Sequence, residues 1–271
     1  MKITIIPFFK LILSQAYKFS VLLATLLFIS SVMISCVSLK SHLNYIHRSD
    51  SRPPADVFAF IMVEKVATPK ECLDSPLKES CEILLQTLPP ITQESSGSGM
   101  LVKIKRGAVI LTAGHVCNDP FPEVYDNDGI KFTIDTKVVI KVRTNTGEVL
   151  GAKVLKIEER TDLCALSVDK IFAPPIRIAS RAPEVGDRVY AISAPMGVNA
   201  PTMSLVFGGF YSGYDEDFHF YTIPTRPGSS GSIVLDKNYR AVGMLNAAFV
   251  SMESIGLGAG HGDLVLFVAD L

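Results

Sequence analysis

From residue 98 onward the sequence predicts an all-β fold, either a barrel or a sandwich, and three observations carry that expectation. Short runs rich in Val, Ile, Phe and Tyr follow one another to the C-terminus. Turn residues punctuate them at Arg106-Gly107, Asn145-Thr146-Gly147 and Asp236-Lys237-Asn238. No long amphipathic helical stretch lies between the runs, which disfavours a parallel sheet with crossover helices. At 271 residues, 48% of them hydrophobic, the chain has enough apolar side chains for one large domain or two small ones.

The first 40 residues differ in kind. Between Lys18 and Lys40 lie 21 uncharged residues, "FSVLLATLLFISSVMISCVSL", long enough to span a bilayer as a helix. The preceding Lys2, Lys10 and Lys18 favour a cytoplasmic N-terminus. Three readings of residues 1–40 stay open: a signal anchor, a plain cleaved signal peptide, and a lipoprotein leader ending at Cys36 in "MISC". Each attaches the chain to a membrane or exports it through this segment, and each places residues 41–271 outside the cytoplasm. Residues 41–56, polar and with Pro53-Pro54, read as a linker.

Along the rest of the chain, "VFAFIMVEKVA" (57–67) reads as the first strand. Residues 68–97, with Cys72, Cys81 and Pro89-Pro90, read as a loop or inserted excursion. The remaining strands are "SGMLVKI", "AVILTA", "KFTIDTKVVIKVR", "EVLGAKVLKIE", "LCALSV", "DRVYAISA", "TMSLVFGGFYSG", "FHFYTI", "GSIVLD", "AVGMLNAAF" and "DLVLFV". The net charge of −1 supplies no basic face for nucleic acid. No CxxC or His/Cys cluster has zinc spacing, so no metal or other cofactor is expected.

Besides Cys36 the chain has Cys72, Cys81, Cys117 and Cys164. An even count in an exported domain suggests disulfides. Cys72 and Cys81 are close enough in sequence to close a small loop. Cys117 and Cys164 then pair by elimination, with two separately buried thiols as the alternative.

Two Gly/Ser-rich stretches stand out, "SSGSGM" (95–100) and "RPGSSGS" (226–232). A serine hydroxyl becomes a nucleophile only beside a histidine base, and the imidazole needs an acid to fix its tautomer. Backbone N–H donors must also face the developing oxyanion. Of five histidines, His42 and His47 lie in the linker, His219 inside an alternating strand and His261 in the Gly-rich "GAGHGD". His115 directly follows an apolar strand in "VILTAGHVC". Among the acids Asp119, Asp126, Asp128, Asp135 and Asp162, the last is set at a strand start by the "LCALSV" that follows it.

Four segments together resemble the trypsin-like serine proteases, and most of all their HtrA-like bacterial branch. "SGSGMLVKIKRGAVILTAGHV" is similar to the strand pair that carries the catalytic histidine. "TDLCALSVD" is similar to the segment carrying the triad acid, "VGDRVYAISAPMG" to a Gly-Asp strand of that branch, and "RPGSSGSIVLDKNYRAVGMLNAAF" to the nucleophile segment. They occur in the order His, Asp, Ser, and the resemblance covers residues 57–271.

The resemblance implies two six-stranded antiparallel β-barrels and a serine endopeptidase acting on protein or peptide substrates through an acyl-enzyme. It implies His115 as general base, Asp162 as orienting acid and Ser230 as nucleophile, with the N–H groups of Gly228 and Ser230 as oxyanion donors. Ser229 falls at a variable position, and Ser232 stands where the family has glycine. Pro224, six residues before the nucleophile, with Asn246 and Ala247, would line the primary pocket and favour small or medium apolar side chains. If His115 and Asp162 meet, Cys117 and Cys164, each two residues on, are brought together. The peptide-sensing PDZ module common in that branch is not expected here. The rival reading is a protease fold that binds without catalysing.

Overall fold

The computed structural model describes residues 52–73, 77–118, 121–127, 130–249 and 252–271. The apolar N-terminal run with Cys36, the histidines His42 and His47, most of the linker, and the acids Asp119 and Asp128 lie outside them.

Strand β1 (Phe58–Cys72) buries Ala59, Ile61 and Val63 on one face, while Phe58 and Phe60 are covered on the other. Covered on both faces, its start reads as an unbroken apolar run. It pairs antiparallel with β2 (Ile91–Ile104) on one side and β5 (Ile130–Thr144) on the other. β3 (Gly107–Ala113), β7 (Leu163–Val168) and β6 (Val149–Glu158) complete the ring, and β4 (Val124–Asn127) hangs on β5 outside it. The second ring runs β10 (His219–Tyr221), β13 (Met252–Gly260), β12 (Ala241–Phe249), β11 (Ser232–Leu235), β8 (Arg188–Ser193), β9 (Leu205–Tyr214). The protein therefore consists, over these residues, of two closed six-stranded antiparallel barrels. Val189, Ala191, Tyr221, Ile223, Val234 and Leu245 fill the second barrel. The core of the first continues through Ile192, Ala194, Ile233 and Met244, so apolar contact joins the two barrels.

Three elements depart from the sequence reading. Residues 68–97 are not a loop. β1 continues to Cys72, helix α1 (Lys78–Leu85) follows, and β2 starts at Ile91. Pro69 falls where the β1–β5 register shifts, one of the few places a ladder tolerates proline. The Cys72–Cys81 disulfide ties α1 to the strand end.

"DLVLFV" belongs to a helix, not a strand. After the single-turn helix α2 (Gly114–Cys117), the last helix is α3 (His261–Val268). Gly260 N–H donates to Asp263 Oδ2 at 2.9 Å, closing its first turn. Leu264 and Phe267, three residues apart, are buried together. A short apolar run does not distinguish strand from helix by its periodicity.

The glycine-rich stretch before α3 is strand β13. A Cβ on Gly256 would lie 2.4 Å from Thr225 Oγ1, and one on Gly258 1.8 Å from the Met244 carbonyl oxygen. Gly256 leaves room for the Thr225 side chain and Gly258 for the Met244 main chain, and strand positions without side chains hid the strand from a pattern based on them. Gly258→Ala is expected to destabilise the protein by about 3 kcal/mol, because the obstacle is main chain. Urea unfolding measures it, and an unchanged midpoint would contradict the close approach.

His219 stacks between Tyr211 and Tyr214, with centroids 5.8 and 5.4 Å away. Its Nδ1 lies 2.9 Å from the Tyr211 hydroxyl. Burial lowers its pKa from the ordinary 6.5, and the Asp263 charge partly opposes this. The unfolded chain thus binds the proton more readily than the folded one. The stability contribution is complete above about pH 6.5 and is lost as pH falls towards the lowered folded value. The unfolding midpoint should decline more steeply below that pH in the wild type than in His219→Gln, and parallel curves would contradict this.

Candidate active site

β3 ends at Ala113, and α2 carries His115 out of the sheet. Across from it, β7 begins directly after Asp162, and Ala113 pairs with Leu163. The register therefore sets the two side chains together. Asp162 Oδ2 lies 2.7 Å from His115 Nδ1, and Asp162 Oδ1 accepts the His115 backbone N–H at 2.7 Å. Gly114 N–H donates to the Asp162 carbonyl at 2.9 Å, and a Cβ on Gly114 would fall 2.9 Å from Oδ1. Glycine is needed there for the carboxylate to approach. The His115 side chain is half-exposed, and among the described residues its Nε2 makes no hydrogen bond.

Asp162 has φ 52°, a left-handed conformation that aspartate tolerates better than most residues. The turn before it is organised by Glu158. That carboxylate accepts the backbone N–H groups of Arg160 and Thr161 at 3.2 and 3.1 Å, and the Thr161 hydroxyl at short range. The Thr161 hydroxyl, then the backbone donors, hold the Glu158 pKa below its ordinary value. Asn246 Nδ2 donates to the Thr161 carbonyl at 3.2 Å from the other side. Neither contact is visible in the sequence, because each depends on a non-local approach or on the exact path of a turn.

The "RPGSSGS" stretch lies between β12 and β2. Gly231 N–H donates to the Leu245 carbonyl at 2.7 Å, and the Ser230 carbonyl accepts Ser98 N–H at 2.8 Å. Gly231 has φ +89°, and a Cβ on it would meet Ser98 O at 2.1 Å and Ala113 N at 2.9 Å. The turn therefore presses against the residue that precedes the His115 helix. Ser230 is half-buried, and Ser229 is fully buried, its Oγ accepting the Arg226 N–H at 3.3 Å. Ser232 is not among the positive-φ residues, and its hydroxyl meets that of Ser193 at 2.5 Å. A side chain is thus accommodated where the family has glycine.

"SSGSGM", the earlier stretch, belongs to β2 and supports this turn. Ser98 Oγ donates to the Gly228 carbonyl at 2.8 Å and accepts Ala194 N–H at 2.9 Å. Met196 N–H donates to the Pro227 carbonyl at 2.6 Å. In a trans peptide the N–H points opposite to its carbonyl, so Gly228 N–H is turned away from the 194–197 segment. Among the described residues, neither Gly228 N–H, Ser230 N–H nor Ser230 Oγ makes a hydrogen bond. The two backbone donors are therefore available to a ligand, and no hydrogen bond joins Ser230 to His115. Such contacts commonly tighten only with substrate bound.

Of the pocket residues expected from sequence, Pro224 is exposed and Ala247 is half-buried. Asn246 is turned to the acid-bearing turn, and its Oδ1 is buried with no partner among the described residues. The buried Thr225 and Gly256 face one another nearby, and sequence reasoning had named neither.

The second disulfide, Cys117–Cys164, is present with Cα atoms 6.5 Å apart and its ends 47 positions apart in sequence. It links α2 to β7, and so ties the histidine-bearing segment to the acid-bearing one. Removing it by Cys117→Ala with Cys164→Ala should cost about 4 kcal/mol in the chain-entropy account. An unfolding free energy within 1 kcal/mol of wild type, as an order-of-magnitude bound, would contradict that clamp.

The profile of the trypsin-like peptidase domain matches residues 97–244. A serine endoprotease from Yersinia pestis is similar in fold, with a TM-score of 0.53 and 21% identity, covering 79% of this chain and 62% of that one. The HtrA-type protease AlgW, in a substituted form with a decapeptide, gives a TM-score of 0.57 at 23% identity, with 79% and 62% covered. The active form of the Rv3671c protease from M. tuberculosis gives 0.51 at 15%, with 79% and 81% covered. This chain thus spans less than two thirds of the length of the first two. No curated protein matches it in sequence. With the profile spanning more than half of the residues, over the segments that carry His115, Asp162 and Ser230, the chain belongs to the trypsin-like peptidase domain family.

Proposed function

We propose that the protein is a serine endopeptidase. The reading is carried by the paired contacts of Asp162 with His115, set beside the turn bearing Ser230. In this account Ser230 Oγ attacks the scissile carbonyl while His115 Nε2 takes its proton. Asp162 holds Nδ1–H and stabilises the imidazolium. The oxyanion is received by the free N–H groups of Gly228 and Ser230. Collapse expels the amine, which takes the proton from His115, and water then hydrolyses the acyl-enzyme by the same steps in reverse. The pocket beside Thr225, Ala247 and Gly256 accepts a small or medium apolar side chain. The enzyme acts outside the cytoplasm, attached to a membrane through residues 1–40.

Incubation with unfolded casein, followed by mass spectrometry of the products, tests this. Cleavage after small or medium apolar residues is expected, and no cleavage by folded protein would overturn it. The second reading is a protease fold used for binding, and that second outcome would support it.

A further inference from the structure

One groove adjoins the candidate active site without belonging to the machinery above. It holds about 460 Å³ on the outer face of the first barrel, over Phe60, Met62 and Glu64 of β1, Glu94 and Ser96 of β2, and Val139 and Lys141 of β5. The strand registers place these on one face, since Met62 is paired with Ser96 and Lys141, and Glu64 with Glu94 and Val139. Its near end reaches the catalytic turn. Ser98, the next residue on this face of β2 and paired with Phe60, donates its Oγ to the Gly228 carbonyl at 2.8 Å, and Gly197 lies against Ser96 Oγ. The 196–199 segment is fixed by Arg143, whose Nε donates to Asn199 Oδ1 at 2.9 Å while its guanidinium covers the Phe60 ring.

We infer that this groove binds the leaving-group side of the peptide and selects a basic side chain about three residues beyond the cleaved bond. The inference rests on the endopeptidase reading. The turn bearing Ser230 is held by β12 on one side and β2 on the other. The endopeptidase reading places the acyl side chain beside Ala247 of β12, and on that reading the departing half of the peptide leaves along β2. From Gly97 to Glu94 is three residues of strand, about 10 Å, which an extended substrate also covers in about three residues.

The chemistry of the groove changes along its length. The near end offers Met62 and Ser96 with the Lys141 ammonium, beside the Arg143 guanidinium that covers Phe60, which suits an apolar or acidic side chain and repels a basic one. At the far end Glu64 and Glu94 stand directly opposite one another. Like charges so placed destabilise a sheet. Among the described residues neither forms an ion pair. A lysine or arginine from the substrate supplies the missing countercharge.

The test uses internally quenched peptides built on a cleavage point found in casein, identical except for Lys, Ala or Glu at the third residue after the bond. The expected kcat/KM for the Lys peptide exceeds that for the Glu peptide by about fivefold, the scale of two partly exposed ion pairs, and the difference shrinks in 1 M salt, by the principle that salt screens exposed charges. Glu94→Gln removes one of two facing like charges and should fold normally while reducing the ratio. Glu64→Lys with Glu94→Lys should invert it. Equal rates, or a ratio indifferent to these substitutions, overturn the groove assignment. Labelling by a fluorophosphonate probe separates the two claims. Labelled protein without discrimination refutes the groove alone, whereas folded protein that neither labels nor cleaves refutes the endopeptidase reading and the groove with it.

Discussion

Ser230→Ala is expected to reduce peptide hydrolysis by on the order of 10⁶-fold while leaving both barrels folded. The turn is held by main-chain contacts, with Ser230 carbonyl to Ser98 and Gly231 N–H to Leu245, and these survive loss of the hydroxyl. Among the described residues that hydroxyl makes no hydrogen bond, so its removal strands no buried partner. Ser229→Ala is the contrasting case. Its buried Oγ accepts the Arg226 N–H, so it should cost about 1 kcal/mol of stability and little activity. Kinetics and unfolding curves on both variants check the pair. The reverse pattern would show that the nucleophile is misassigned.

Asp162→Asn should lower kcat by about 10⁴-fold. Both carboxylate oxygens are occupied, Oδ1 by the His115 backbone N–H and Oδ2 by its ring Nδ1. An asparagine has a single acceptor. If the oxygen keeps the backbone N–H, the amide NH₂ faces Nδ1, which must then become the acceptor. The ring proton moves to Nε2, and the base is lost although the geometry is kept. The left-handed φ of 52° at this position also suits asparagine, so folding should be nearly unaffected. A decline in kcat of less than tenfold, an order-of-magnitude threshold set against the expected loss, would show that the contact with His115 is structural only.

How much of this was legible depended on what each feature is made of. The barrel strands with alternating or continuous apolar runs, such as β2, β3 and β7, were readable because side-chain burial sets their pattern. β13 was not, because Gly256, Gly258 and Gly260 make room for the Thr225 side chain, the Met244 main chain and the His219 ring, and carry no hydrophobic signal. α3 looked like a strand, because Leu264, Val265, Leu266, Phe267 and Val268 form a continuous apolar run too short to show either period. The 68–97 segment hid two strand ends and a helix behind Pro69 and Pro89-Pro90.

In the site, His115 and Asp162 stand out in the sequence because each borders an apolar strand, and the β3–β7 register then joins them. The second tier was illegible. Glu158, Ser98 and Met196 hold the acid turn and the nucleophile turn through contacts to main-chain atoms, and any residue with a suitable donor or acceptor looks the same in sequence. Asn246 was expected at the pocket wall, but its amide is engaged with Thr161. Ser96 and Glu94 fall in the 68–97 segment that reads as a loop or inserted excursion, and only pairing with β1 puts them on one face.

The most direct test of the endopeptidase account is to treat the purified protein with a fluorophosphonate probe and map the adduct by tandem mass spectrometry, with Ser230→Ala alongside. A single phosphonylated residue at Ser230 in the wild type, absent from the variant, is the result predicted by an activated serine beside His115 and free oxyanion donors. A folded wild type that takes no label at Ser230, or takes it at Ser229 or Ser232, would contradict the account.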